Sequence, residues 1–257
     1  MKPVLIRIGS VPIYSFGVMI VVAFFVCCWI VGLELRRKDL DHRLKADSLV
    51  MSVLLGGLVG ARGYYILENF SEFLSAPFEI FSGGGLVWYG GVLGGIAALT
   101  YVVWKKKLNW LQTADILAPA LALGYAIGRI GCLLAGDGDY GKPSNLPWAM
   151  AFPEGIVPTT TPVHPTPIYE FIIMTAVFSI LWSMRKKVQK DGAIFGLYLI
   201  LAGSERFLIE FLRLNPVVAW NLTMAQITSL VIAVLGLTLI RMKPQIEKIC
   251  RKADKCL

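Results

Sequence analysis

Three long stretches of this chain carry no charged residue: Ile8–Leu33, Ile80–Trp104 and Leu214–Ile240. A helix crosses the hydrocarbon core of a bilayer with about 20 mostly apolar residues. In lipid every backbone N–H and C=O must be satisfied internally, so such stretches fold as helices. Four further segments fit with one or a few charges. They are Ser48–Leu67 around Arg62, about 113–134 with Asp115 and Arg129, about 167–184 opened by Glu170, and about 193–211 with Glu205, Arg206 and Glu210. With the uncharged stretches giving spans at about 13–33, at about 86–104 and within 214–240, the sequence predicts an all-α polytopic membrane protein with about seven transmembrane helices. It reads as a single transmembrane domain over 1–257, with one external loop at about 135–166 rich in Pro, Gly and Thr. Only 16% of residues are charged, against about 25% in a soluble domain; disorder, collagen and coiled coil are excluded. The five cysteines are an odd number, and Cys27, Cys28 and Cys132 lie in apolar runs, so no disulfide framework is expected. The N-terminus lacks the layout of a cleaved signal peptide.

Loop charge sets the orientation. After the odd-numbered spans come Arg36, Arg37, Lys38, Arg43 and Lys45, then Lys105 to Lys107, then Arg185 to Lys187 with Lys190, then the basic tail from Arg241. The opposite side has only Lys2, Arg7, Lys142 and Arg213. The positive-inside rule puts the N-terminus outside and the C-terminus in the cytoplasm. That accounts for most of the net charge of +8, and no nucleic-acid partner is implied.

Arg62, Arg129 and Arg206 lie within spans, where each costs roughly 2.5–3.5 kcal/mol at a helix centre. In this orientation all three, together with Tyr89 and Glu170, fall in the outer half of the membrane. A shared polar cavity opening toward the outer leaflet explains this; snorkelling of single arginines to the headgroups is the simpler alternative. Arg206, Glu210 and Arg213 have the spacing of one helix face. Glu210 is either a structural partner of Arg206 or the group that aims it at an anion. A guanidinium suits phosphate because its planar fork donates two parallel hydrogen bonds. The pairs Gly56/Gly60, Gly91/Gly95 and Gly124/Gly128 have spacing for close helix packing, and Gly83 to Gly85 suggest a loop or re-entrant feature lining the cavity. His164, at the outer mouth of the fifth span, could anchor the external loop, and His42 reads as solvated. No set of three or four ligands suggests a metal.

On these residues the chain resembles the bacterial phosphatidylglycerol–prolipoprotein diacylglyceryl transferases. Gly128-Arg129-Ile130-Gly131, then Gly136-Asp137, resembles the family signature Gly-Arg-x-Gly-Asn-Phe-x-Asn-Gly-Glu. Gly60-Ala61-Arg62, Asp115 with Ala118-Pro119, His164-Pro165-Thr166 with Tyr169-Glu170, Glu205-Arg206-Phe207 through Glu210 and Arg213, and Leu222-Thr223-Met224-Ala225-Gln226 follow in family order. There are departures. Tyr89-Gly90-Gly91 stands where the family has His-Gly-Gly. Cys132 and Ala135 replace Asn, Asp137 replaces Glu, Phe16 stands near a family Tyr with Tyr14 close by, and Ala202 replaces another.

The resemblance implies a multi-pass enzyme of the bacterial cytoplasmic (inner) membrane, its site toward the outer leaflet. Phosphatidylglycerol and the lipobox cysteine of a prolipoprotein signal peptide would be its substrates, membrane lipids its surroundings, and no cofactor is implied. By that likeness Arg129 binds the headgroup, and Arg206 with Glu210 stabilises the leaving phosphate or lowers the thiol pKa. Tyr89 relays a proton in place of His, or is an interfacial aromatic beside Trp88. Arg62, His164, Tyr169 and Glu170 are candidate substrate contacts; Asp137, Asp139 and Tyr140 are candidate contacts to the headgroup glycerol or the peptide, or ordinary polar residues of the loop; and Cys132 reads as a small inert hydrophobe. A paralogue that binds or moves phospholipid, or transfers a lipid group to another acceptor, uses the same arginines. A transporter ranks last, since no duplicated pair of broken helices is visible.

Overall fold

The computed structural model describes residues 2–9, 11–75 and 87–242. Each of the seven expected spans is a helix: α1 Ser15–Arg37, α2 Ala46–Glu68, α4 Trp88–Lys106, α5 Trp110–Ala135, α6 Thr166–Met184, α7 Ala193–Ile209 and α8 Met224–Arg241, with a short α3 at Phe70–Ser75. Five of these, α1, α2, α5, α6 and α8, are long and apolar enough to cross a membrane. In α4 four glycines dilute the apolar character, and α7 has only 17 residues. Three two-stranded antiparallel ribbons accompany the helices among the described residues: β1 Val4–Ile8 with β2 Val11–Tyr14, β3 Met150–Phe152 with β4 Thr159–Val163, and β5 Val217–Ala219 with β6 Leu222–Thr223.

The helix ends follow local chemistry. The sixth span was expected to reach 211, but α7 stops at Ile209 and a 3-10 turn, Glu210–Leu212, follows. Pro216 biases Asn215 away from helix, so the next helix waits until Met224. There Thr223 and Gln226 form a reciprocal capping box.

Large apolar side chains face outward on the helices, among them Phe25, Trp29, Val59, Trp104 and Val231, while Thr166, Glu170, Glu205, Glu210 and Ser229 are buried. A water-soluble domain shows the reverse.

Packing groups the chain into two compact units, 28–113 and 1–27 with 114 onward, and the division falls within α1 and α5. In the first unit α2 and α4 meet backbone to backbone. A Cβ on Gly60 would lie 2.8 Å from the Gly94 Cα and closer still to the Gly90 carbonyl. Close approach therefore uses Gly56 and Gly60 against Gly90 and Gly94; the expected pair Gly91/Gly95 has only ordinary contacts. Gly83 to Gly85 lie outside the described residues. The Arg43 Nη2 closes the C-terminal end of α4 by donating to the Lys106 and Lys107 carbonyls at 2.9 and 3.0 Å.

In the second unit Ala118, Ala122 and Ala126 recur at one turn's spacing on α5 and pack with Met174, Val177 and Leu181 of α6 and Ile194 of α7. Gly124 sits beside Cys27, as close packing requires, but Gly128 has open space around it and is no packing residue. Asp115 is a helix cap: its carboxylate accepts the Gly192 and Phe195 N–H groups at the start of α7, both at 2.7 Å.

Candidate active site

The late turns of α5 and α7 and the second turn of α6 converge in the second unit. They bring Arg129, Arg206 and Glu170, charged residues that a bilayer would not tolerate alone, and these pair with one another. Arg129 Nε lies 2.9 Å from Glu170 Oε2. Its Nη2 donates to the Tyr125 hydroxyl at 2.8 Å, one turn back on α5, and its Nη1 pairs with Asp139. Its guanidinium also stacks 4.8 Å from the Tyr125 ring centre. Arg206 places Nη1 3.5 Å from Glu170 and Nη2 3.1 Å from Glu210. Arg213 comes from beyond the helix, where the backbone is already extended, and pairs with Asp139 while its Nη1 stands 3.9 Å from Glu170. The expected single helix face of Arg206, Glu210 and Arg213 is thus broken by the turn at Glu210–Leu212, although all three meet in one network.

Glu170 is completely buried and is the shared partner of three guanidiniums. Glu210 is held from a second side: its Oε1 accepts from Asn215 Nδ2 at 2.7 Å and Thr223 Oγ1 at 2.8 Å. The side chains of Arg129 and Arg213 are 13% and 8% exposed, whereas that of Arg206 is 28% exposed. Arg206 is therefore the arginine with room to meet a ligand. All three donor nitrogens of Arg129 already have partners, so an anion must compete there with Asp139.

The loop after α5 supplies the outer wall. Burial alone would raise the Asp139 carboxyl, but Arg213 and Arg129 hold it below the usual carboxylate range. Thr166 Oγ1 donates to the Asp139 carbonyl. The Asp139 N–H donates to Asp137 Oδ1 at 3.2 Å, so of the two aspartates named from sequence Asp137 shapes the loop and Asp139 meets the arginines. The Tyr140 hydroxyl is bonded to the Gly136 and Val157 carbonyls, its ring stacks on Phe152 at 4.1 Å, and burial raises its pKa. His164 lies 3.4 Å from the Tyr169 hydroxyl, which accepts from Trp148 Nε1 at 2.7 Å. Backbone bonds tie His164 to Gly141 and Lys142 in the loop.

Arg62 and Tyr89 belong to the other unit. The Val87 N–H donates to the Ala61 carbonyl at 3.2 Å, which sets the start of α4 beside Arg62 on α2. Arg62 stacks 5.3 Å from the Tyr65 ring centre, and Tyr89 meets Trp88 edge-on at 5.4 Å.

Sequence reasoning did not single out Tyr125 or Glu205. Tyr125 had a signal, its position one helical turn before Arg129. Glu205 stood only as the neighbour of Arg206; it is 4% exposed, and its Oε1 has no hydrogen-bond partner among the described residues. Cys132 Sγ lies 3.9 Å from Arg129 Nη1, within 4.8 Å of ligand atoms of Asp137 and Asp139. Since Asp139 is engaged by two arginines, a cation there would compete with both.

Three arginines and three carboxylates thus meet near the ends of apolar helices, with Arg206 the most exposed of the arginines. The sequence profile described as "Prolipoprotein diacylglyceryl transferase" matches residues 3–242. The chain belongs to that family. It is 32% identical to the phosphatidylglycerol–prolipoprotein diacylglyceryl transferase of Shewanella oneidensis, over 93% of this chain and 94% of the relative. It is 34% identical to the protein of that name from Cupriavidus pinatubonensis, over 93% and 90%, and 34% identical to that from Clostridium tetani, over 84% and 87%. The family's Gly-Arg-x-Gly signature falls here on the last turns of α5, and Phe16, near the family's Tyr, packs against Gly131.

Proposed function

We propose that this chain transfers the diacylglyceryl group of phosphatidylglycerol to the lipobox cysteine thiol of prolipoproteins. A C–S bond forms as the glyceryl C–O bond to phosphate breaks; glycerol phosphate leaves with the electron pair, and the thiol proton passes to a base. The partly open guanidinium of Arg206, clamped by Glu170 and Glu210, carries this reading. Such a donor fits charge building on the departing phosphate, and its field favours the thiolate over a thiol of pKa about 8.5. Arg129 holds the headgroup, which enters by displacing Asp139. Glu170 positions both arginines, and Asp137, His164 and Tyr169 line the approach; Arg62 is a candidate substrate contact by the family resemblance. Arginine is no general base, with its pKa above about 12; the family resemblance makes Tyr89 the candidate proton relay. The enzyme sits in the bacterial inner membrane as one multi-pass domain, with its N-terminus and site outside and its C-terminus in the cytoplasm, as the loop charge supports.

The test uses purified protein, labelled phosphatidylglycerol and a lipobox peptide, following glycerol phosphate release and peptide mass together. The expected result is a diacylglyceryl-sized mass gain, lost with Cys→Ala in the peptide and with Arg206→Ala in the enzyme. Binding of phosphatidylglycerol that depends on the arginines, with no product, would overturn the transferase and leave a lipid-binding paralogue.

A further inference from the structure

The ribbon between α7 and α8 has an unusual tip. Trp220 and Asn221 both adopt left-handed backbone, with φ of 49° and 58°, and close the Ala219–Leu222 pair as a two-residue turn. Asn tolerates that region, but a bulky aromatic does so only at a cost in strain. The strain displays the side chain: Trp220 is 88% exposed. Around it Leu214, Val217 and Val218 are exposed as well, and the band continues onto Phe211 before the ribbon and Met224 after it. From Leu214 to Ile240 there is no charge to suit a polar protein partner. Trp220 is four residues before Met224, the start of the spanning helix α8, so its backbone can reach at most about 13 Å beyond that helix. That distance stays close to the headgroup zone, where Trp is enriched because its ring is apolar and its N–H polar.

The ribbon is also tied to the site. Asn215 precedes β5 and Thr223 ends β6, and both donate to the same oxygen, Oε1 of Glu210, at 2.7 and 2.8 Å. The other oxygen of Glu210 holds Arg206. Whatever fixes the ribbon therefore fixes the carboxylate that aims the arginine.

We propose that the β5–β6 ribbon is a wedge seated in the lipid: Trp220 enters the headgroup–acyl boundary of the bilayer, and Asn215 and Thr223 pass that seating on to Glu210 and Arg206. The seating stands independently of the chemistry; the coupling rests on the transferase reading.

The experiment places the full chain in nanodiscs of phosphatidylglycerol and phosphatidylcholine. The chain has seven Trp, so the emission of Trp220 is taken as wild type minus Trp220→Phe. That difference is expected to be blue-shifted and quenched by lipids brominated near the top of the acyl chain, with little quenching by aqueous iodide. A water-like difference spectrum quenched by iodide would overturn the wedge. For the coupling, Trp220→Ser is expected to lower the transfer rate several-fold in nanodiscs and much less in detergent, with Trp220→Phe restoring it. Thr223→Val should lower transfer while leaving the lipid quenching of Trp220 intact. Equal rates for wild type and Trp220→Ser in nanodiscs, or an equal loss in detergent, would overturn the coupling. Should wild type give no transfer in either setting, the transferase reading fails and the quenching still decides the wedge.

Discussion

Glu170→Gln is the sharpest test of the buried network. The substitution keeps the shape of the side chain and one acceptor oxygen for the Tyr125 hydroxyl, which lies at 3.2 Å. It removes the charge that Arg129, Arg206 and Arg213 share, and it can turn an NH2 toward a guanidinium. Removing one partner of a buried ion pair costs about 3–5 kcal/mol. Only the Arg129 contact, at 2.9 Å, is tight; those of Arg206 and Arg213 are 3.5 and 3.9 Å, and Arg206 is partly reached by water. The lower end, about 3 kcal/mol, is therefore expected. On the scale of soluble domains that is a fall of roughly 6–12 °C in the unfolding midpoint. Thermal unfolding in one detergent at pH 7 measures it, with Glu34→Gln as the comparison. Glu34 is also buried but pairs with Arg37, whose side chain is 27% exposed, so its loss should be smaller. Transfer activity should fall in parallel, because both Arg129 and Arg206 lose their aim. A Glu170→Gln midpoint equal to that of wild type, or a larger drop for Glu34→Gln, would refute the view that Glu170 holds the arginines together.

Three further outcomes are expected. Arg129→Lys keeps the charge but can reach only one of the three groups that Arg129 engages, and glycerol phosphate release should fall by roughly 100-fold, as when a planar fork is replaced by a point charge. Asp139 has a depressed folded-state pKa, so its stabilisation is present above its unfolded pKa of about 3.9 and is lost as pH falls through the lower folded value. Between pH 7 and 3 the unfolding midpoint of wild type should decline more steeply at the acid end than that of Asp139→Asn. Gly60→Ala forces a methyl into the α4 backbone and should abolish detergent-stable protein, whereas Gly63→Ala, with nothing within 4 Å of the added carbon, should purify and melt like wild type.

The helices were legible because the bilayer imposes a length and a charge rule that a single sequence displays. The arginines were legible for a related reason: a charge inside a span needs a partner, and Arg129, Glu170, Arg206 and Glu210 do meet. What the sequence hid was decided by backbone geometry. Asp137 and Asp139 lie two apart in one loop, and only the fold decides that Asp139 meets the arginines. The choice of Gly90 and Gly94 over Gly91 and Gly95 is a rotation of one residue about the α4 axis, invisible where all four are glycine. Glu205 gave no local sign of its burial. The three ribbons are short and irregular, with the residues at one of their turns, Trp220-Asn221, outside the usual hairpin preferences.

Asp115 has one more consequence. It fastens the cytoplasm-facing end of α5, in the proposed orientation, to the start of α7 at Gly192. From that rivet Arg129 lies fourteen residues along α5, and Arg206 lies fourteen residues along α7 from Gly192. At 1.5 Å per residue both arms measure about 21 Å. The two helices act as matched calipers, and a common zero mark sets both arginines at the same distance along their helices. Adding or deleting one residue in either arm lowers or lifts its arginine by about 1.5 Å and swings it by about 100°. Length between rivet and arginine, more than residue identity, is therefore what these segments must keep.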